Sequence, residues 1–367
     1  LIFGGVYSGR RVLVTGDTGF KGSWLALWLH ELGASVAGFA IDVPTVPSHF
    51  DAAALRAHVR HFDGDIRDRV RLAAVVDEFS PEIVFHLAAQ ALVRRSYAQP
   101  AETFEVNALG TLNVLEVLRE RPAIRAAVLI TSDKAYRNVE WPWGYRETDT
   151  LGGEDPYSGS KGCAELIAYS YVHSFFKPNS GLGRIATTRA GNVIGGGDWA
   201  PDRIVPDCMR AWATHESITV RNPRATRPWQ HVLEPLSGYL GLGAQLWNRE
   251  ARVDGQSYNF GPDATVNEPV EALIREMAQY WPGAEWHVDP SAGKGRPEAT
   301  LLKLSCDKAL ADLGWRAVLS FHDAVRFTSE WYLKFYNRER RDMFDVSREQ
   351  IDEYCAAART HGLPWIR

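Results

Sequence analysis

Arg11-Val12-Leu13-Val14-Thr15-Gly16-Asp17-Thr18-Gly19-Phe20-Lys21-Gly22 is the stretch that decides the fold. Residues 11–15 read as a short apolar strand, glycines follow at 16, 19 and 22, and an amphipathic helix is expected over 20–32. A chain turning this tightly from strand into helix points its first helical N–H groups outward. Glycine lets a pyrophosphate reach that backbone without a side chain intervening. A glycine pattern alone also suits any tight turn, so the downstream context has to carry the reading. A second strand at 35–41 ends at Asp42, where a carboxylate can accept hydrogen bonds from an adenosine ribose. Val43 and Pro44 bring no cation for a 2′-phosphate, so the expected cofactor is NAD rather than NADP. Asp65, in Gly64-Asp65-Ile66, is either an adenine contact or the cap of its own loop. Asp17 is the discordant residue: a negative charge in a phosphate turn repels its ligand unless it points away, so Asp17→Asn should leave NAD binding unchanged or tighten it.

Outward from this turn, strand signals recur at 59–63, 83–87, 128–131 and 185–189, with helical segments such as 101–120 between them. Alternation of this kind defines an α/β fold: a Rossmann-like, doubly wound parallel sheet covered by helices on both faces. Residues 1–190 are expected to form this nucleotide-binding domain, with a helix at 233–247 returning to it. Beyond Gly195 the alternation loosens, and 191–330 should build a smaller α/β substrate lobe over the carboxyl ends of the strands. The stretch 321–358 looks helical and charged, with 331–367 as a C-terminal helical tail.

The 367 residues carry 41 Lys plus Arg against 45 Asp plus Glu, a net charge of −4 that argues against a nucleic-acid partner. Cys163, Cys208, Cys306 and Cys355 lie far apart with no CxxC pair, which argues against a zinc site and a disulfide framework and fits a reducing compartment. With no apolar run of membrane-spanning length and no signal-peptide pattern in residues 1–10, no membrane partner is expected and the expected location is the cytoplasm. Among the 13 tryptophans, Trp24 and Trp28 share a helical face and read as core, whereas Trp141 and Trp143, with Tyr145, either pack on themselves or face a substrate.

Tyr157 and Lys161, in Pro156-Tyr157-Ser158-Gly159-Ser160-Lys161, share one helical face at a spacing of four. A tyrosine hydroxyl titrates near ~10 and needs a neighbouring ammonium to act as a base at neutral pH. Ser132, in Thr131-Ser132-Asp133-Lys134, follows a strand and can hydrogen-bond a substrate hydroxyl. With the nucleotide turn upstream, Ser132, Tyr157 and Lys161 make a coherent hydride-transfer centre.

These motifs, TGDTGFKG at 15–22, HLAAQ at 86–90 and YSGSK at 157–161, resemble those of the extended short-chain dehydrogenases/reductases. TSDKAYRNVEWPWGYRETD at 131–149, EDPYSGSKGCAEL at 154–166, RAGNVIGGGDW at 189–199 and RPWQHVLEPLSGYL at 227–240 are more specific. They are similar to those of the CDP-glucose 4,6-dehydratases, over about residues 10–357. The resemblance implies oxidation of a nucleotide-linked hexose at C4, loss of water across C5 and C6, and reduction at C6. Asp133 would be the acid that assists loss of the C6 hydroxyl. Lys134 occupies the C5-base position, where related dehydratases carry Glu; it would act as base or stabilise an enolate, and a plain Asp133–Lys134 salt bridge is the competing reading. Ile66, Leu87, Ala88, Ala89 and Asn107 join the cofactor candidates.

For the substrate, Arg203, Arg221, Arg224 and Arg227 are available cations, and the resemblance favours Arg227 for the pyrophosphate. Gln90, Arg94 and Asn192 are further candidates, as are Arg296 and Glu298, where Pro297 departs from the family's usual His. A preference for CDP-glucose rests on resemblance alone. Two other readings stand beside it: a nucleotide-sugar 4-epimerase, and a non-catalytic NAD-binding sensor. Helices at 101–120 and 157–172 are expected to pair with a second copy in a homodimer, or within a tetramer.

Overall fold

The computed structural model describes residues 1–179, 181–289, 301–337 and 342–366. Seven strands form the main sheet: β1 (Arg11–Thr15), β2 (Ser35–Ala40), β3 (Arg60–Asp63), β4 (Ile83–His86), β5 (Ala126–Ile130), β6 (Arg184–Ala190) and β7 (Ser257–Phe260). Their order is β7-β6-β5-β4-β1-β2-β3, and every pairing is parallel. β1 sits between β2 and β4, so the chain winds away from it in both directions, as the expected doubly wound fold requires. β5 is buried at all five positions, the continuous apolar run typical of a parallel strand covered on both faces. The edge strand β7 was not foreseen: four residues between loops carry too little periodicity to be read.

The helices of ten residues or more are α1 (Phe20–Glu31), α2 (Arg69–Phe79), α3 (Gly110–Arg119), α4 (Pro156–Tyr171), α5 (Ile204–Ala213), α6 (Leu233–Trp247), α7 (Val270–Tyr280), α8 (Phe321–Tyr336) and α9 (Met343–Thr360). α1 corrects the amphipathic expectation: every residue from Gly22 to Leu29 is buried. Its outer side is covered by C-terminal segments, with Trp28 edge-on to Tyr354 of α9 at 5.8 Å and to Trp365 at 6.4 Å. A helix apolar all round belongs inside a protein, and here its second wall is built by the far end of the chain. The expected helix at 101–120 is interrupted by a π-helical turn at Glu105–Leu109. Among the described residues, no helix is long and apolar enough to cross a membrane.

Beyond β6, short strand pairs and two helices build a smaller α/β region: Ile218–Val220 beside Trp286–Val288, Thr226–Arg227 beside Glu268–Pro269, with α5 and α7. α6 packs against the sheet, its buried Tyr239, Leu240 and Leu242 joining the same core as Val128 of β5 and Ala186 of β6.

Glu234, in the first turn of α6, ties three distant segments together. Its Oε1 accepts the N–H groups of Val318 and Leu319 at 2.8 and 2.6 Å, and its Oε2 accepts the Tyr354 hydroxyl at 2.8 Å. Burial pushes the Glu234 carboxyl up to about 7, against the pull of the Leu319 N–H. An acid whose pKa is raised on folding weakens the fold as pH climbs from the unfolded value to the folded one, here from about 4.5 to about 7. Gln fits the same space and still accepts both N–H groups. Glu234→Gln is therefore expected to match the native protein's melting temperature near pH 4.5 and exceed it at pH 8, by up to about 3 kcal/mol. Parallel melting curves across pH 4–8 would show instead that Glu234 ionises in the folded protein at its ordinary pKa.

Candidate active site

A cleft of about 2650 Å³ runs along the carboxyl ends of β1, β4, β5 and β6 and under the smaller α/β region. One end is lined by Asp42, Asp65 and Ile66, the middle by the 16–22 turn and Leu87-Ala88-Ala89, the far end by Ser132, Tyr157 and Lys161. The turn is built as its sequence demands. Gly16 has φ +75°, and an added Cβ would lie 2.8 Å from the Ala88 nitrogen; one on Gly22 would lie 2.0 Å from the Gly16 carbonyl oxygen. Only glycine allows loop, strand end and helix start to approach this closely. Thr18 Oγ1 donates to the Asp42 carbonyl at 2.6 Å and so holds the turn against the end of β2. The volume of this cleft accommodates a dinucleotide, with bare glycine backbone in the turn where phosphates would lie.

Asp65 caps its own loop, accepting the Arg67 N–H at 2.8 Å and the Arg67 guanidinium at 2.6 and 2.9 Å, and this pairing lowers its carboxyl below the ordinary range. It still borders the cleft, so the two readings of Asp65 coexist. Asn107 does not line the cleft. Its amide exchanges hydrogen bonds with the Gln90 backbone at 2.8 and 3.1 Å and donates to Ser160 Oγ at 2.9 Å, clamping the end of β4 to α4. Gln90 faces the cleft, but its amide is spent on Leu92 and Thr103.

At the reactive end, Ser132 ends the extended run of β5 and caps a short turn at Asp133–Ala135. Ser132 Oγ donates to Asp133 Oδ1 at 3.0 Å, and the Lys134 N–H reaches the same oxygen at 2.9 Å. Burial raises the Asp133 carboxyl, opposed by Lys134, by the Ser132 hydrogen bond and by Lys21. Lys161 is lowered to about 8 by burial, with Lys21 as the next cause. Lys21 is itself lowered to about 8 by burial, with Asp133 pulling the other way. Burial raises the Tyr157 phenol above its ordinary value, opposed by the Ser132 hydrogen bond and by the Arg203 charge.

Arg203 is committed to Asp198 at 2.7 Å beside the reactive end, while Arg94 pairs with Asp202 at the mouth of the cleft. Asn192, Arg221 and Arg227 line the cleft and Arg224 does not. Arg296 and Glu298 lie outside the described residues. Of the two readings of the aromatic cluster, the packed one is observed. Trp141 stacks on the buried Tyr145 at 5.5 Å and 7°, and Trp141 and Trp143 border a separate surface hollow with Arg146 and Asp149.

Sequence reasoning missed the support beneath these groups. Glu165 lies one helical turn beyond Lys161 on α4 and forms a fully buried pair with Arg189 of β6 at 2.8 and 2.9 Å. Glu165 also accepts from Thr131, the residue before Ser132, and from Thr187, while Arg189 donates to the Tyr136 hydroxyl at 2.6 Å. The i,i+4 spacing of Lys161 and Glu165 was the available signal.

Fold and reactive group together define an extended short-chain dehydrogenase/reductase. More narrowly, the chain belongs to the GDP-mannose 4,6 dehydratase family, whose profile matches residues 13–328. It is 47% identical over 357 residues to the CDP-glucose 4,6-dehydratase of Salmonella typhimurium, covering 96% of this chain and 98% of that protein. It is 25% identical over 344 residues to a probable dTDP-glucose 4,6-dehydratase of Sinorhizobium fredii, covering 88% and 93%. Among solved structures, an NAD complex of UDP-glucose 4-epimerase from Thermus thermophilus superposes with a TM-score of 0.72 at 26% identity, covering 88% of this chain and 98% of that one.

Removing one partner of a buried ion pair strands the other charge, at a cost of about 3–5 kcal/mol. Arg189→Met is expected to lose that much stability in urea denaturation, with turnover falling as Thr131 and α4 lose their common anchor. A loss below about 1 kcal/mol would mean that the pair does not support the site.

Proposed function

We propose that this protein is an NAD-dependent nucleotide-sugar 4,6-dehydratase converting CDP-glucose to CDP-4-keto-6-deoxyglucose and water. The observation that carries the reading is the placing of Ser132, Asp133 and Lys134 on one turn beside Tyr157 and Lys161 in a single cleft. An epimerase needs the Ser-Tyr-Lys set alone, whereas elimination needs a further acid and a further group at C5. The 47% identity to a CDP-glucose enzyme over nearly the whole chain supports the same choice.

NAD, held by the 16–22 turn, Asp42 and Lys161, would supply the redox chemistry as a reversible hydride acceptor, so that no external reductant would be consumed. The chain's own groups handle the protons. Tyr157, as phenolate, takes the proton of the C4 hydroxyl, with the Ser132 hydrogen bond and the Arg203 charge favouring the ionised phenol, and Lys161 orients the nicotinamide ribose. The 4-ketone acidifies C5–H. Lys134 receives that proton or stabilises the enolate, and Asp133, held toward its neutral form by burial, protonates the departing C6 hydroxyl as water. A proton then returns to C5. Arg227 is assigned to the substrate pyrophosphate, with Arg203 placed nearer the sugar by its position beside Tyr157.

A homodimer is part of this proposal. Phe104, Leu109, Leu166 and Tyr169 are exposed on the helical segments expected to pair, more apolar surface than two solvated helices normally carry. Light scattering should report a dimer or a tetramer; a monomer at working concentration would remove this part.

The test is incubation with NAD and, separately, CDP-, dTDP-, UDP- and GDP-glucose, followed by mass spectrometry. Loss of one water from CDP-glucose without net NADH is expected. A stereoisomer of unchanged mass would make the protein an epimerase, and no reaction on any sugar would favour the sensor. Lys134→Ala is expected to lower kcat by about 10²-fold with NAD affinity unchanged; normal turnover would take Lys134 out of the mechanism.

A further inference from the structure

Asp17 sits inside the phosphate turn yet is wholly buried. Its carboxylate turns away from the cleft and crosses β2 at Gly38, where an added Cβ would lie 1.8 Å from Asp17 Oδ2. Gly38 is the register partner of His61 in β3, so the carboxylate fills the place of the missing side chain and meets His61 Nδ1 at 2.7 Å. The other ring nitrogen, Nε2, lies 3.3 Å from Asp63 Oδ1. Arg56 acts on both partners from the turn at Leu55–Ala57, and the Phe50 ring packs 5.5 Å from the imidazole. Asp17 Oδ1 is buried with no hydrogen-bond partner.

We propose that Asp17 and His61 are positioning residues for NAD: through the 16–22 turn they hold, they set the charge beneath the cofactor's pyrophosphate, which binds more tightly when the pair carries an added proton. This rests on reading the turn as the NAD site. With His61 neutral the pair is one negative charge under a dianionic pyrophosphate; with His61 protonated it is neutral. Asp17 raises the imidazole pKa above its ordinary value, although burial acts against it, so the change falls above pH 6.5. Affinity should therefore decline as pH rises through that point. By linkage, bound NAD must raise the His61 pKa by the same factor.

NAD titration by calorimetry from pH 6 to 9 tests this on the wild type, Asp17→Asn and His61→Gln. Asn still crosses Gly38 and still accepts from Nδ1–H. Lys21 and Lys161, both lowered to about 8, face the same cleft in all three proteins, so the difference between profiles isolates the pair. Asp17→Asn should equal the wild type at pH 6 and bind about fivefold or more tightly at pH 9. His61→Gln removes the imidazole and should lose the wild type's decline in affinity as pH rises past 6.5. Parallel profiles for wild type and Asp17→Asn overturn the proposal, whereas absence of NAD binding at any pH overturns the reading of the site itself. The His61 ring resonance of the wild type, titrated with and without NAD, gives a check that needs no variant: an unchanged midpoint also overturns it.

Discussion

The Arg189–Glu165 pair is the constraint on which the reactive end depends. β6 contributes the guanidinium and α4 the carboxylate, with almost no water reaching either. Two ions so placed hold only if their remaining hydrogen-bonding capacity is met, and Thr131, Thr187, Tyr136 and the Glu147 carbonyl meet it. The helix carrying Tyr157 and Lys161, the strand end carrying Ser132 and the neighbouring strand are thereby fixed to a common point. A hydrophobic contact could supply comparable stability, but it would not specify the rotation of α4 about its axis as a forked guanidinium does.

Above that anchor, burial acts on acids and bases in opposite senses. It raises Asp133 and lowers Lys161 and Lys21, bringing a carboxyl and two amines closer together in proton affinity than they are in water. A narrower gap in proton affinity lowers the thermodynamic cost of moving a proton within the site.

What could be read from the sequence was whatever has a short period or a local motif. The 16–22 turn, six of the seven sheet strands and the helix at 233–247 each announce themselves within a dozen residues. The reactive side chains were legible because Tyr157 and Lys161 share a helix face and Ser132 to Lys134 are consecutive. Glu165 offers only its spacing of four from Lys161, and Arg189 offers no signal until β6 is laid beside α4. The same reason explains Asn107 and Gln90: sequence offers polar groups near the cleft, and only the fold shows that they bond to one another. Asp17 was noticed as a conflict with its surroundings. Its resolution lay in the register of β2 and β3, which brings Gly38 and His61 side by side.

The burial of α1 bears on how the chain is made. Its outer face is closed by Tyr354 and Trp365, and His49, just beyond β2, hydrogen-bonds Ser347 from 298 positions away. A ribosome delivers β1 to β6 long before α9. Until α9 emerges, Trp28 stands on a helix with one wall missing, so the nucleotide-binding half completes its core only when the C-terminal segments arrive. For that interval the Trp28 face of α1 stays open to water.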